Sequence, residues 1–382
     1  MDDENNPEND LSNLHPWNSS DYPVKVNSIR YNQDFSLLTL GTSKGYKIFL
    51  TSNMKQVNEE TEDVKNLGDI SIAMAYFKSS LVFCLPSRNN QKHTNKEIII
   101  FDDFYQTKFA SLKDKSEEIS NLFVSKNVLF LVTLSKIVVV ELSTFQVVDI
   151  ILNINSTYKL VSFNFVDFIA YTLLKDKKKV FVNYYQNKQH KILSLMKREI
   201  ISSFEYVQTL QISPCGDAVG IVSIFGNKIH IYCTQDGKLK DCLFLGPTVQ
   251  TIENILFSEL KPNYLFVLKN NNKFYIYKLS KVKVDNPNCI CCKYDDRYIT
   301  SSSNTEAKNS GIFAFFRRPS RNKDIKDVHA FSELEGEFKF LDFDRNKRKD
   351  IILIDSKGQL IKYHFNKNSS GNITSILKVQ WE

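Results

Sequence analysis

No stretch of this chain is apolar for long enough to cross a membrane as a helix. The greasiest run, NLFVSKNVLFLVTLSKIVVVEL, is interrupted by Lys126 and Lys136 and reads as two strands. A secretory leader is missing too. The N-terminal MDDENNPENDLSNLHPWNSS is acidic and polar, the reverse of a basic segment followed by an apolar one. The two absences predict a cytosolic protein, whose Asn-x-Ser/Thr sites at Asn18, Asn155, Asn368 and Asn372 stay unglycosylated. A strong charge of one sign is also lacking. The net charge of +7 over 382 residues is weaker than a dedicated nucleic-acid binder shows, yet it allows attraction to acidic lipid head groups.

Catalytic and metal-binding constellations are absent as well. Cys84, Cys215, Cys233 and Cys242 stand singly in apolar surroundings, and Cys289, Cys291 and Cys292 form a Cys-x-Cys-Cys group without a second cluster at zinc spacing. The expectation is buried free thiols in a reducing compartment. The six histidines, His15, His93, His190, His230, His329 and His364, lack the partner spacing of a triad or a metal site. Asp102-Asp103 and Asp342/Asp344 read as turn residues at strand ends. Gly41, Gly45 and Gly226 read as turns between strands, not as a phosphate cradle. The lysine run at Lys175–Lys179 reads as a solvated hairpin tip, because no aromatic residues interleave with it. The expected protein is not an enzyme, has no cofactor or metal, and binds no nucleic acid.

Aromatic and branched apolar residues are abundant. The chain is 42% hydrophobic with 28 Phe and 17 Tyr, enough for a large core. They fall in short runs of strand length, and one pattern repeats: an alternating strand, a polar turn, and a second strand ending in apolar residues with an aromatic. It occurs at Ser36–Leu50, Leu81–Asp103, Leu129–Leu142, Phe168–Tyr185, Ala218–Cys233, Leu265–Leu279 and Asp350–Phe365. A four-stranded period of about forty residues predicts an all-β fold, a seven-bladed β-propeller of four-stranded antiparallel blades. One such blade cannot bury its two faces alone, whereas radially packed blades bury each other's. Residues 1–21 are expected as a disordered tail and residues 22–382 as a single propeller. A long sixth-blade loop at about 281–327 contains SSSNTEAKNSG and then GIFAFFRRPSRNK.

Val26–Phe49 resembles the first blade of the PROPPINs, seven-bladed propellers that bind phosphoinositides in autophagy and endolysosomal traffic. Lys96–Phe104 resembles their second-blade strand and Ile352–Asn366 their last blade. The resemblance implies a Phe/Leu-Arg-Arg-Gly tetrapeptide at the end of the fifth blade, whose arginines enter two pockets and each hold a phosphorylated inositol ring. Arginine suits this because its planar, permanently charged fork grips phosphate bidentately. Here the tetrapeptide falls on Leu243-Phe244-Leu245-Gly246, and only the glycine is kept. Of the other pocket positions, Ser223 matches, Asn227 stands where Thr is usual, and His230 where a basic residue is usual. Thr248 follows the tetrapeptide, and the second pocket's Ser/Thr positions fall on Leu268, Lys269 and Lys273. Phe-Arg-Arg recurs at Phe316-Arg317-Arg318, but Pro319 replaces the glycine and the segment lies about seventy residues too late.

The resemblance also implies that the sixth-blade loop meets the bilayer. Its composition agrees: Ile312, Phe313, Phe315 and Phe316 form an apolar wedge beside Arg317, Arg318, Arg321 and Lys323, as in an interfacial anchor. Folding back onto the propeller and serving as a protein-binding motif are the alternatives. Arg317-Arg318-Pro319-Ser320 resembles a basophilic kinase site, and phosphate on Ser320 would loosen an anionic contact. Two functions follow. One is a PROPPIN-like peripheral membrane adaptor on autophagosomal, endosomal or vacuolar membranes, with weakened binding of phosphatidylinositol 3-phosphate and its 3,5-bisphosphate. The other is a purely protein-binding scaffold that uses the rim or the groove between blades two and three for autophagy or vesicle-traffic proteins. A monomer is expected in either case.

Overall fold

The computed structural model describes residues 24–52, 54–156, 160–188, 191–201, 206–246, 249, 251–258, 264–269 and 273–279, and the strands within 328–333, 338–343, 350–355, 360–364 and 374–379. The strands form one three-stranded and six four-stranded antiparallel sheets, each a meander of chain neighbours. The three-stranded sheet is β1 (Val26–Tyr31), β2 (Leu37–Thr42) and β3 (Gly45–Leu50). Next come β4 (Ile70–Ala75), β5 (Leu81–Pro86), β6 (Glu97–Asp102) and β7 (Thr107–Lys113), then β8 (Ile119–Val124), β9 (Val128–Thr133), β10 (Lys136–Glu141) and β11 (Val147–Leu152). The fourth sheet is β12 (Val161–Phe163), β13 (Phe168–Leu173), β14 (Asp176–Lys188) and β15 (Lys191–Ile201); the fifth is β16 (Val207–Ile212), β17 (Ala218–Ser223), β18 (Lys228–Cys233) and β19 (Leu239–Phe244). The sixth is β20 (Ile252–Phe257), β21 (Tyr264–Lys269), β22 (Lys273–Lys278) and β23 (Val328–Glu333), and the last is β24 (Phe338–Phe343), β25 (Asp350–Asp355), β26 (Leu360–His364) and β27 (Thr374–Val379). First strands of successive sheets lie side by side at β1 and β4, β4 and β8, β12 and β16, and β16 and β20, and β24 returns to β1. The molecule is an all-β propeller.

The expectation of four strands in every blade is corrected at the first sheet. There a short segment and a helix, α1 (Glu62–Asn66), cover the edge of β3. The Val57 amide donates to the Ile48 carbonyl at 2.9 Å, and the Ile48 amide donates to the Asn58 side chain at 2.6 Å. The edge is thus satisfied without a full strand. Thr61 caps α1, and Val64 and Leu67 pack with Tyr46 and Ile48.

Middle strands such as LLTLGT (β2), VLFLVT (β9) and AVGIVS (β17) are buried at every position, because blades press on both faces. Outer strands such as TKFASLK (β7) are largely exposed. Four further expectations change. The long apolar run holds parts of three strands, β8 to β10. Gly41 lies inside β2, where a Cβ would meet the Ser28 hydroxyl at 2.7 Å, so close packing rather than a turn requires it. Only Lys175 of the lysine run is in the turn; Asp176 opens β14, and Lys179 pairs with Asp176 and Glu199. Cys84, Cys215 and Cys233 are buried, but Cys242 is exposed, because it stands on an outermost strand.

Two bonding patterns orient the blades. Turns between second and third strands bond the chain that leads into the first strand: Ser43 to Lys25, Ser87 to Asp69, Leu174 to Asn153 and Ile224 to Tyr206. These turns and the blade-to-blade connections therefore share one face. Turns between third and fourth strands bond those between first and second: Thr51 to Ser36, Asp103 to Ser80, Leu142 to Asn127 and Thr234 to Asp217. The blades twist, so a third-to-fourth turn reaches the outer part of the preceding blade. Gln106 meets Thr61 at 2.5 Å, the rings of Phe145 and Phe109 lie 6.5 Å apart, and a Cβ on Gly237 would sit 3.8 Å from Arg198.

At the centre, the Phe35 ring of the first blade meets the Phe165 ring of the fourth edge-on at 5.2 Å. With two blades between them, the contact spans the axis. Met74, Leu122 and Cys215 join the same cluster, so it draws on five blades.

Candidate functional site in the clefts flanking the fifth blade

β17, β18 and β19 sort their side chains between two clefts by strand alternation. Val219, Ile221 and Tyr232 pack with Val180 and Ile200 of the fourth blade. Val222, Ile229, Leu243 and Leu245 pack with Ile252, Val267 and Leu279 of the sixth. His230 pairs in register with Ile221 and with Cys242. Ser223, His230 and Phe244 therefore stand on the side of the fourth blade, and Leu245 on the side of the sixth. Two residues adjacent in sequence thus point into different clefts, the geometry that the Arg-Arg pair implied. Here Phe244 and Leu245 occupy it, and Leu245 is buried in the apolar cluster.

In the first cleft Ser223 is buried, and its hydroxyl meets no hydrogen-bond partner among the described residues. His230 Nδ1 lies 3.3 Å from the Tyr232 hydroxyl. Burial, and secondarily the Lys228 charge, lower the His230 pKa, so the imidazole is neutral at physiological pH. Asn227 supplies its carbonyl to the Leu245 amide at 2.8 Å, and Gly246 follows with φ 136°. Ser223 and His230 therefore bring uncharged polar groups to this cleft, where the resemblance implied an arginine.

In the second cleft Lys269 and Lys273 are direct register partners at the end of β21 and start of β22. The Lys269 ammonium sits 4.1 Å from the centre of the Tyr275 ring, a cation–π contact. It can meet a phosphate only as a point charge. Tyr232 and Tyr275, the aromatic partners of His230 and Lys269, went unnoticed in the sequence, although alternation from His230 and Lys273 leads to both. Thr248, the segment Ile312, Phe313, Phe315, Phe316, Arg317, Arg318, Arg321 and Lys323, and Ser320 lie outside the described residues. So do Cys289, Cys291 and Cys292. The chain between β22 and β23 begins at Leu279, which packs in the cluster between blades five and six.

Among the described residues no three His, Cys, Asp or Glu side chains are grouped to hold a metal. No helix among them is long and apolar enough to cross a membrane.

No family model matches the chain. SVP1-like protein 2 of Schizosaccharomyces pombe is 26% identical over 112 residues, covering 29% of this chain and 30% of that protein's length. Solved structures are alike over far more. Hsv2 of Kluyveromyces lactis superposes with a TM-score of 0.70 at 12% identity, covering 94% of this chain and 100% of that one. A structure of KlAtg21 in complex with the coiled coil of AgAtg16 reaches a TM-score of 0.59 at 13% identity, again covering 94% of this chain and 100% of that one. Hsv2 and Atg21 are PROPPIN β-propellers, and the present chain is a divergent likeness of their fold.

Proposed function

We propose that the chain is a divergent PROPPIN-type adaptor, a closed seven-bladed ring that brings protein partners to autophagosomal, endosomal or vacuolar membranes and has weakened phosphoinositide binding. The observation that carries this reading is the pair Phe244 and Leu245. The backbone directs them into the two clefts as the resemblance requires, but neither bears a charge. A hydrogen bond to a charged group contributes roughly 1.5–3 kcal/mol, so each missing arginine weakens head-group binding by at least about tenfold. Lys269 and Lys273 leave some basic character, and the basic-aromatic composition of residues 311–323 supports membrane attachment.

The adaptor role has its own support. Phe109 on the outer strand of blade two, Phe145 at the turn of blade three, and Ile150 and Leu152 on β11 leave apolar surface between those blades. Such surface suits a partner segment, and the KlAtg21 structure holds a coiled coil. If the membrane part is absent, the protein is a scaffold that acts through this groove alone.

Flotation with vesicles containing phosphatidylinositol 3-phosphate, its 3,5-bisphosphate or only phosphatidylserine tests the reading. The expected result is binding that follows negative charge rather than the inositol head group and falls when residues 311–323 are deleted. F244R/L245R should raise binding to phosphatidylinositol 3-phosphate by about tenfold or more. Head-group-selective binding by the unaltered chain, lost in S223A or H230A, would overturn it.

A further inference from the structure

The face that carries the turns between second and third strands shows apolar side chains where turns are usually polar. The fifth blade's turn presents Ile224 and Phe225, exposed by 51% and 53%, directly after the buried Ser223. Gly226, with φ 62°, closes this turn. Tyr206, whose carbonyl accepts from the Ile224 amide at 3.2 Å, extends the apolar tip. The fourth blade's turn presents Leu174 on the same face. Each tip has lysines beside it: Lys175 and Lys178 by Leu174, and Lys228 by Phe225, all exposed and in no ion pair among the described residues.

We propose that the hairpin tips of blades four and five form a second membrane-contact surface for anionic bilayers, separate from residues 311–323. This rests on the membrane-adaptor reading above. The shape favours a bilayer over a folded partner: the apolar side chains stand on protruding turns rather than in a groove, so a soft, continuous surface can bury them together. The flanking lysines match the negative potential of such a surface. The role also explains a turn composition that the blade's packing does not require, since these exposed side chains belong to neither inter-blade cluster.

The test is flotation of the full chain with phosphatidylcholine vesicles, with and without phosphatidylserine. I224S/F225S should lower binding to the phosphatidylserine vesicles by about tenfold or more, with an unchanged unfolding temperature. The same loss should appear in a chain also lacking residues 311–323. K175E/K178E/K228E should reduce binding and its salt sensitivity together. If I224S/F225S binds as the unaltered chain does while deletion of 311–323 abolishes binding, the second surface does not exist and the adaptor reading stands. If the unaltered chain binds no anionic vesicle, both fail. If Ile224 and Phe225 matter only for native membranes, and protease treatment of those membranes removes the effect, the occupant is a protein and the lipid assignment is overturned.

Discussion

Asp167, at the junction between blades three and four, and Ser223, in the cleft between blades four and five, are buried in opposite ways. In the first, Asp167 sits 3% exposed with φ 64°. Its carboxylate accepts from the Ser125 hydroxyl, from the Asn127 amide at 2.9 Å and from the Asn127 side chain at 2.5 Å. Burial raises its pKa, and these donors reduce the rise without cancelling it. In the second, Ser223 is equally buried and its hydroxyl has no partner among the described residues, and His230 is held neutral. Depth alone does not separate a polar group on which the fold relies from one on which it does not. A buried group with a complete set of partners holds the fold, whereas one left idle occupies a place where the fold asks nothing of it.

Mutations can break or sharpen this contrast. The largest effect is expected from F165A. It removes the ring that meets Phe35 and Phe123 and should cost about 3–5 kcal/mol in urea unfolding; a loss below about 1 kcal/mol would show that the centre repacks freely. D167A comes next. It strands the Ser125 and Asn127 donors, with an expected loss of about 2–3 kcal/mol. S223A should be the mildest, within about 0.5 kcal/mol of the unaltered chain. A loss from S223A as large as that from D167A would mean that the serine hydroxyl holds the blade, and the contrast would collapse.

The parts legible in the sequence were the parts under two-sided burial. All seven repeated hairpins pair second with third strands, β2 with β3 through β25 with β26, where apolar runs are nearly continuous. First strands carry a register shift early in the strand, as between Val26 and Ser28, Ile119 and Asn121, and Val207 and Thr209. That shift breaks the period-two signal. Outer strands such as β7 and β19 face solvent and lack the signal altogether. The helix α1 stayed hidden because a five-residue element has no periodicity to detect. At the site, the loss of the arginine pair was plain from LFLG alone. What needed the fold was the direction of each side chain, and with it the burial of Leu245, the ring beneath Lys269 and the tip formed by Ile224 and Phe225.

The meeting of Phe35 and Phe165 has a consequence for how anything reaches this protein. A ring of blades ordinarily leaves a bore along its axis, a corridor that water, ions or a small solute can enter from either end. Here two rings from opposite sides shut that corridor, with the Gln33 amide donating across the end to the Val124 carbonyl at 2.8 Å. A solute arriving at that end meets aromatic edges and an amide already committed, and finds there only the turns, edges and clefts that a large surface can press against.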